Sequence, residues 1–189
     1  MAGTGPGSVY SILTDVGEVE LAEAPAAGGP TYRFDGAEAG DAAGRGIAAV
    51  SFYDTVFVNF SGVAIGAPGA DGLGRADAGT AYLIDDGAYA DLDAQDGSAD
   101  GVIDLAYAGG PHQPFQEAYY TLIGEAAGDG AGSTGDQSGD YLTIAAQGAD
   151  GAAPGSSDAG AVYLIHGDDT ERLDSFPLTS GTGSSISRR

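Results

Sequence analysis

Nine residues near the centre of the chain read Asp96-Gly97-Ser98-Ala99-Asp100-Gly101-Val102-Ile103-Asp104. Side-chain oxygens stand at positions 1, 3, 5 and 9 of this run, on Asp96, Ser98, Asp100 and Asp104, and position 7 offers the backbone carbonyl of Val102. A hard cation gathers several such oxygens, and one short loop supplies them when donors alternate with residues that let the chain turn. Gly101 permits the sharp turn, and Ile103 can anchor the loop in apolar packing. The spacing predicts a Ca2+ loop over residues 96–104, with Asp96, Ser98, Asp100, Val102 and Asp104 as ligands. Tyr107 stands where a full EF-hand has its bidentate Glu, and Asp93 lies close enough to assist. The competing reading of the same residues is an acidic turn without an ion.

Other reactive constellations are weak. Gly130-Ala131-Gly132-Ser133-Thr134-Gly135 satisfies a dinucleotide-type glycine spacing, but Gly makes up 34 of 189 residues and no helical pattern follows it. There is no Lys for a phosphate loop and no Gly-x-Ser-x-Gly elbow. His112 and His166 lack partners at metal-binding spacing, and Cys is absent, so thiolate metal sites and disulfides are excluded. Asn59-Phe60-Ser61 is a glycosylation sequon inside an apolar strand-like run, and its match is read as chance. No catalytic or cofactor-binding residue is assigned, and the chain is expected not to be an enzyme.

The charge narrows the partners. Acidic residues number 28 against 6 Arg, for a formal charge of −22. Such a polyanion is repelled by nucleic acid and by anionic membranes. No apolar run is long enough for a membrane-spanning helix, so no membrane insertion is expected. Asp outnumbers Glu 21 to 7, which suits tight turns and oxygen-ligand loops. A salt-adapted acidic surface explains the bulk charge equally well.

The elements that must position the loop announce themselves by repetition. Ala64-Ile65-Gly66-Ala67-Pro68-Gly69-Ala70-Asp71 and Ala78-Gly79-Thr80-Ala81-Tyr82-Leu83-Ile84 are echoed by Ile144-Ala145-Ala146-Gln147-Gly148-Ala149-Asp150 and Ala159-Gly160-Ala161-Val162-Tyr163-Leu164-Ile165. A partial third echo is Gly7-Ser8-Val9-Tyr10-Ser11-Ile12-Leu13. The lead-in Gly36-Ala37-Glu38-Ala39-Gly40-Asp41-Ala42-Ala43-Gly44 returns as Gly124-Glu125-Ala126-Ala127-Gly128-Asp129-Gly130-Ala131-Gly132. The period is 72 and then 81 residues from Tyr10 to Tyr82 to Tyr163, too long for paired helices and suited to a four-stranded blade with long loops. Short apolar runs bounded by Gly and Pro predict strands over residues 46–53, 56–60, 63–67, 80–84, 119–123, 141–146 and 161–165. Residues 63–67 and 80–84 should lie side by side in one antiparallel sheet. The only helical candidate is a weak one, residues 85–94.

These motifs resemble the FG-GAP repeat of integrin-α-type β-propellers, on Phe34-Asp35-Gly36, Gly44-Arg45-Gly46-Ile47-Ala48-Ala49-Val50, Ile65-Gly66-Ala67-Pro68 and residues 78–84, with a second copy at Leu122-Ile123-Gly124 and Ala159-Gly160-Ala161-Val162-Tyr163. The likeness covers roughly residues 30–167. It implies an all-β, incomplete β-propeller of antiparallel blades with long Gly/Asp-rich loops, calcium loops, and binding or adhesive roles. Two departures qualify it. The family's calcium loop falls here on Asp54-Thr55-Val56-Phe57-Val58-Asn59-Phe60-Ser61-Gly62, where only Asp54 is left as a carboxylate and two valines replace oxygen donors, so that loop should not bind calcium. The second copy is shortened, with 13 residues from Gly132 to Ala145 against 22 from Gly44 to Gly66, and its strand and loop are read as cut down to residues 136–140.

The expected organisation is the edge of a preceding blade and linker over residues 1–29, a first blade with the Asp-rich insert over 30–112, a shortened blade over 113–170, and a flexible tail over 171–189. The chain begins inside a repeat and is read as a piece of a longer extracellular or cell-surface protein whose export signal lies elsewhere. The functional expectation is a calcium-binding module for adhesion, binding or scaffolding. Its partners would be other blades of the parent chain and an extracellular protein or glycan. The alternatives are a targeting module beside a secreted hydrolase and a ligand-free structural repeat.

Overall fold

A computed structural model describes residues 8–11, 32–53, 59–109, 119–166 and 187–188. Among the described residues eleven strands form three sheets. The first holds β1 (Ser8–Ser11), β2 (Tyr32–Asp35) and β6 (Val102–Asp104) in the order β1-β2-β6. The middle sheet is an antiparallel meander of β3 (Gly46–Tyr53), β4 (Asn59–Ala67), β5 (Thr80–Asp85) and β7 (Tyr119–Ile123). The third runs β8 (Ala131–Ser138), β9 (Tyr141–Ala146), β10 (Ala161–His166) and β11 (Ser187–Arg188). Helix is confined among the described residues to α1 (Tyr89–Asp93) and two short 3-10 turns. The chain is all-β in class, and the expected neighbours β4 and β5 pair antiparallel from Val63↔Ile84 to Ala67↔Thr80.

The middle sheet has a core on each face, because its strands alternate apolar side chains to both sides. Ile65, Tyr82 and Ile84 point toward the first sheet and meet Phe34, Leu92, Ile103 and Leu105. Ala48, Val50, Ala64, Ala81 and Leu83 point toward the third sheet and meet Leu142, Ile144, Tyr163 and Ile165. The second of these interfaces is closed by backbone contact. A Cβ on Gly66 would lie 1.9 Å from the carbonyl oxygen of Gly132, and one on Gly46 would lie 2.5 Å from the same atom. Only glycine allows that approach. At one end of the same interface Gln137 completes the join, accepting from the Ser51 N–H at 2.9 Å and donating to the Ser51 carbonyl at 2.6 Å.

The repetition in the sequence is a repetition of hydrogen bonds. Asp41 is 5% exposed and its Oδ2 accepts from Glu38 N–H at 2.9 Å; Asp129 is 4% exposed and accepts from Ala126 N–H at 2.8 Å. The carbonyls of the same two residues accept from Gly69 and Gly148. Asp71 Oδ1 accepts from Asp77 N–H, as Asp150 Oδ1 does from Asp158 N–H, and both donors sit at φ 50°. Asp tolerates that left-handed conformation better than most side chains, so each of these loops closes on an aspartate.

Three features depart from the sequence reading. The strand over 131–138 is present in full, and only the loop is shortened: Gly139 and Asp140 turn the chain directly between Ser138 and Tyr141, which pair. Its residues Ala-Gly-Ser-Thr-Gly-Asp-Gln-Ser are too polar to show an apolar run, because the outward positions Thr134, Asp136 and Ser138 are exposed. The short strands β2 and β6 also lie outside the predicted runs. The predicted strand start at 56–58 and residues 54–58 of the valine-substituted loop lie outside the described residues, as do His112 and residues 167–186, while residues 59–62 of that loop open β4. Within the segment read as a tail, Ser187 and Arg188 pair with Leu164 and Tyr163.

Candidate cation loop and the insert that carries it

The Asp-rich run belongs to an insert between β5 and β7. Asp85 starts it by capping both sides of the junction: its Oδ1 accepts from Gly87 N–H at 2.9 Å and its Oδ2 from Ser61 N–H at 3.1 Å. The following turn and α1 bury Ala88, Tyr89 and Leu92. Tyr89 stands edge-on to both Tyr32 and Phe34, with ring centroids 5.3 and 5.2 Å away, which fixes the insert on the first sheet. Burial, then Asp86 and Asp85, pushes the Tyr89 hydroxyl up to about 12.

The loop itself is held by its own carboxylates. Asp93, 4% exposed at the end of α1, accepts from Gly101 N–H at 2.8 Å and closes the excursion between them. Asp96 Oδ1 accepts from Ser98 N–H at 2.7 Å, Asp100 Oδ1 from Val102 N–H at 3.1 Å, and Asp104 Oδ1 from Ala106 N–H at 2.8 Å. Gly97 and Gly101 sit at φ 92° and 82°. Beyond Gly101 the chain becomes β6 and joins β2 in parallel, with Arg33 N–H donating to Gly101 O and Leu105 N–H to Asp35 O, both at 2.9 Å. Since Gly101 O points at β2, strand alternation turns the next carbonyl, that of Val102, away from it.

The predicted ligands therefore fall in two places. Asp96, Ser98 and Asp100 are on the exposed turn, whereas Val102 and Asp104 are within β6. Among the described residues no three His, Cys, Asp or Glu side chains are gathered closely enough to hold a metal ion. Each of Asp96, Asp100 and Asp104 instead bonds a neighbouring backbone N–H through Oδ1, and its Oδ2 makes no described hydrogen bond.

Asp104 also faces a second polar feature. The register sets Asp35 beside Asp104, and Arg33 holds Asp35 through a fork of 2.9 and 2.6 Å. The Tyr82 hydroxyl is pushed up to about 12, first by burial and then by Asp41, Asp104 and Glu38. Its counterpart Tyr163 donates to Glu125 at 3.2 Å. Asp41 and Asp129 were not singled out from the sequence, although their shared place in the repeated lead-in was the available signal. The glycine-spaced run 130–135 opens β8 and no helix follows it, so it lacks the turn-to-helix frame of a dinucleotide site. His166 meets the Tyr141 ring edge-on at 4.7 Å.

Comparisons with protein-family models, with curated proteins and with solved structures give no match to this chain.

Proposed function

We propose that this chain is a non-catalytic repeat module of the FG-GAP, integrin-α-like kind, whose sheets are β-propeller blades and whose work is extracellular binding, adhesion or scaffolding. The observation that carries this reading is the repeated frame: two antiparallel meanders, stacked face to face, with buried Asp caps and Asp-closed loops at equivalent positions. Stacked units of this type offer long rigid surfaces, and their stability comes from contacts with neighbours. Propellers use about four to eight blades, so other blades complete the array.

Calcium is the ligand we assign to residues 96–104. Support comes from the donor spacing, from turns already shaped by Gly97 and Gly101, and from a Val102 carbonyl directed off the sheet. A bound cation would draw the outer oxygens of Asp96, Asp100 and Asp104 together with Ser98 and relieve their repulsion. Because Asp104 is in β6, the cation would brace the strand that ties the insert to the first sheet.

Calorimetry on the full chain in low-salt buffer tests this assignment. Calcium should give a saturable heat by about millimolar concentration, and magnesium a much weaker one, since it demands a tighter octahedron. Asp100→Ala should abolish the heat. No saturable heat, or an undiminished heat in Asp100→Ala, would remove calcium from the proposal.

A further inference from the structure

The first sheet repeats part of the middle one. β1 pairs with β2 as β5 pairs with β7: Val9↔Phe34 and Tyr10↔Arg33 correspond to Ala81↔Leu122 and Tyr82↔Thr121. Arg33 and Asp35 therefore hold the places of Thr121 and Ile123. In β2 these two residues turn backbone groups away from β1, and β6 covers them. Arg33 N–H donates to Gly101 O and Leu105 N–H to Asp35 O, both at 2.9 Å. In β7 the Gly124 N–H donates to Gly79 O at 3.0 Å. Antiparallel alternation then directs the groups of Leu122 toward β5 and those of Thr121 and Ile123 away from it. β7 ends its sheet, and among the described residues the backbone groups of Thr121 and Ile123 make no hydrogen bond.

This edge is ready to pair. Tyr119-Tyr120-Thr121-Leu122-Ile123 is rich in aromatic and β-branched residues and holds no Pro and no charge, the usual means by which an edge is blunted. Its backbone is fixed in place, because Tyr120 and Leu122 are buried and Thr121 donates from Oγ1 to Ala108 O at 3.2 Å. The charge around it has one sign. Between Arg75 and Arg172 the chain has no Lys or Arg. Arg75 itself is engaged on the carbonyls of Gly72 and Glu125. The 3-10 turn Tyr107–Gly109 lies against both β6 and β7, so the edge follows directly on the insert that exposes Asp96 and Asp100.

We propose that the outer edge of β7 is a docking site for an extended, basic segment of a partner protein, which joins the middle sheet as a fifth strand. The β2–β6 pairing is the precedent for an added strand at this edge of the frame. Main-chain bonds to Thr121 and Ile123 supply the affinity, and Lys or Arg side chains on the added strand meet the acidic surroundings. In β6 the central Ile103 is fully buried, so the added strand takes an apolar residue there, and its neighbours on either side point outward and carry the basic groups. A strand at this edge leaves both faces of the middle sheet to adjacent blades, as a closed ring requires. The inference rests on the reading of the chain as a binding module and is independent of the calcium assignment.

The probe is a short peptide of alternating Lys and Val, added to the full chain at low ionic strength. It should bind saturably and protect the Thr121 and Ile123 amides from hydrogen exchange. Those two amides should exchange fast in the chain alone, whereas the Leu122 amide should be slow throughout. The same peptide N-methylated at every residue keeps its charge but cannot pair, and should bind at least about tenfold more weakly. A peptide of alternating Glu and Val should not bind. Equal binding by the N-methylated peptide would reduce the effect to attraction between charges and overturn the proposal, as would equal binding by the Glu peptide. Thr121 and Ile123 amides already protected without peptide would overturn it too: at all concentrations because another segment of this chain covers the edge, or only at high concentration because a second copy does. A chain that takes up calcium but not the Lys peptide would sink this site and leave the module reading standing.

Discussion

In the middle sheet the face carrying Ala64, Ala81 and Leu83 is shut against a neighbour, with exposures of 3%, 2% and 0%. At the equivalent positions of the third sheet Thr143 and Leu164 are half-buried and Val162 is exposed. Strand pairing at these positions and the buried aspartate caps agree between the two sheets, so at this face the difference lies in the side chains. Frame and neighbour are thus specified by different residues. Gly, Asp and the turn-forming pairs set the fold of each unit, and a handful of small or polar side chains decide whether another unit can stack on it.

The largest effect should appear at a pair of matched leucines. Leu83→Ala empties a fully buried site and should cost about 2 to 5 kcal/mol in denaturant unfolding. Leu164→Ala, at the matched outer position, should cost about 1 kcal/mol, because part of that side chain already meets water. Equal costs would mean that the outer face is covered as the inner one is.

The buried caps sharpen the comparison from the other side, because here the two repeats should behave alike. Asp41→Ala and Asp129→Ala each leave a backbone N–H without its acceptor and should each cost about 1 to 3 kcal/mol. A large cost at one site and none at the other would break the claim of a common frame.

A smaller effect is expected from alkaline pH. The Tyr82 hydroxyl keeps its proton up to about 12 in the folded chain, whereas a tyrosine in the unfolded chain ionises near 10. Its contribution to stability is whole below about pH 10 and is lost as the pH rises toward 12. Tyr82→Phe should flatten that part of a stability-versus-pH curve, leaving the decline due to Tyr89, whose folded value is also about 12.

Most of the frame was legible in the sequence because its strands are apolar runs ended by Gly, Pro or Asp. Strands β5, β7, β9 and β10 follow those runs, and the repeated segments fall on equivalent elements. What stayed hidden was non-local or polar. β8 reads as a polar turn-like stretch, since its outer residues face water and two of its inner positions are Gly135 and Gln137. The parallel pairing of β6 with β2 joins residues far apart in sequence, and no local pattern in Val102-Ile103-Asp104 reports it. The close approach at Gly66 was equally invisible, because a glycine within a strand marks a turn, a bulge or a contact without distinguishing them. Within the candidate loop the donor spacing was readable. The closing bond from Gly101 to Asp93 needed coordinates, because it depends on where α1 ends.

The central claim, that one position of the repeat is sealed in the middle sheet and open in the third, is tested most directly at Gly66 and Ala145. Neither is a positive-φ residue, so chain entropy alone would make Gly66→Ala mildly stabilising and Ala145→Gly mildly destabilising, by about 1 kcal/mol or less. Packing against Gly132 reverses the first sign. Denaturant unfolding of the two variants should show Gly66→Ala less stable by about 2 kcal/mol or more, since its methyl group would press on the Gly132 carbonyl. Ala145→Gly should lose about 1 kcal/mol or less. A Gly66→Ala chain as stable as the wild type or more so would contradict the account.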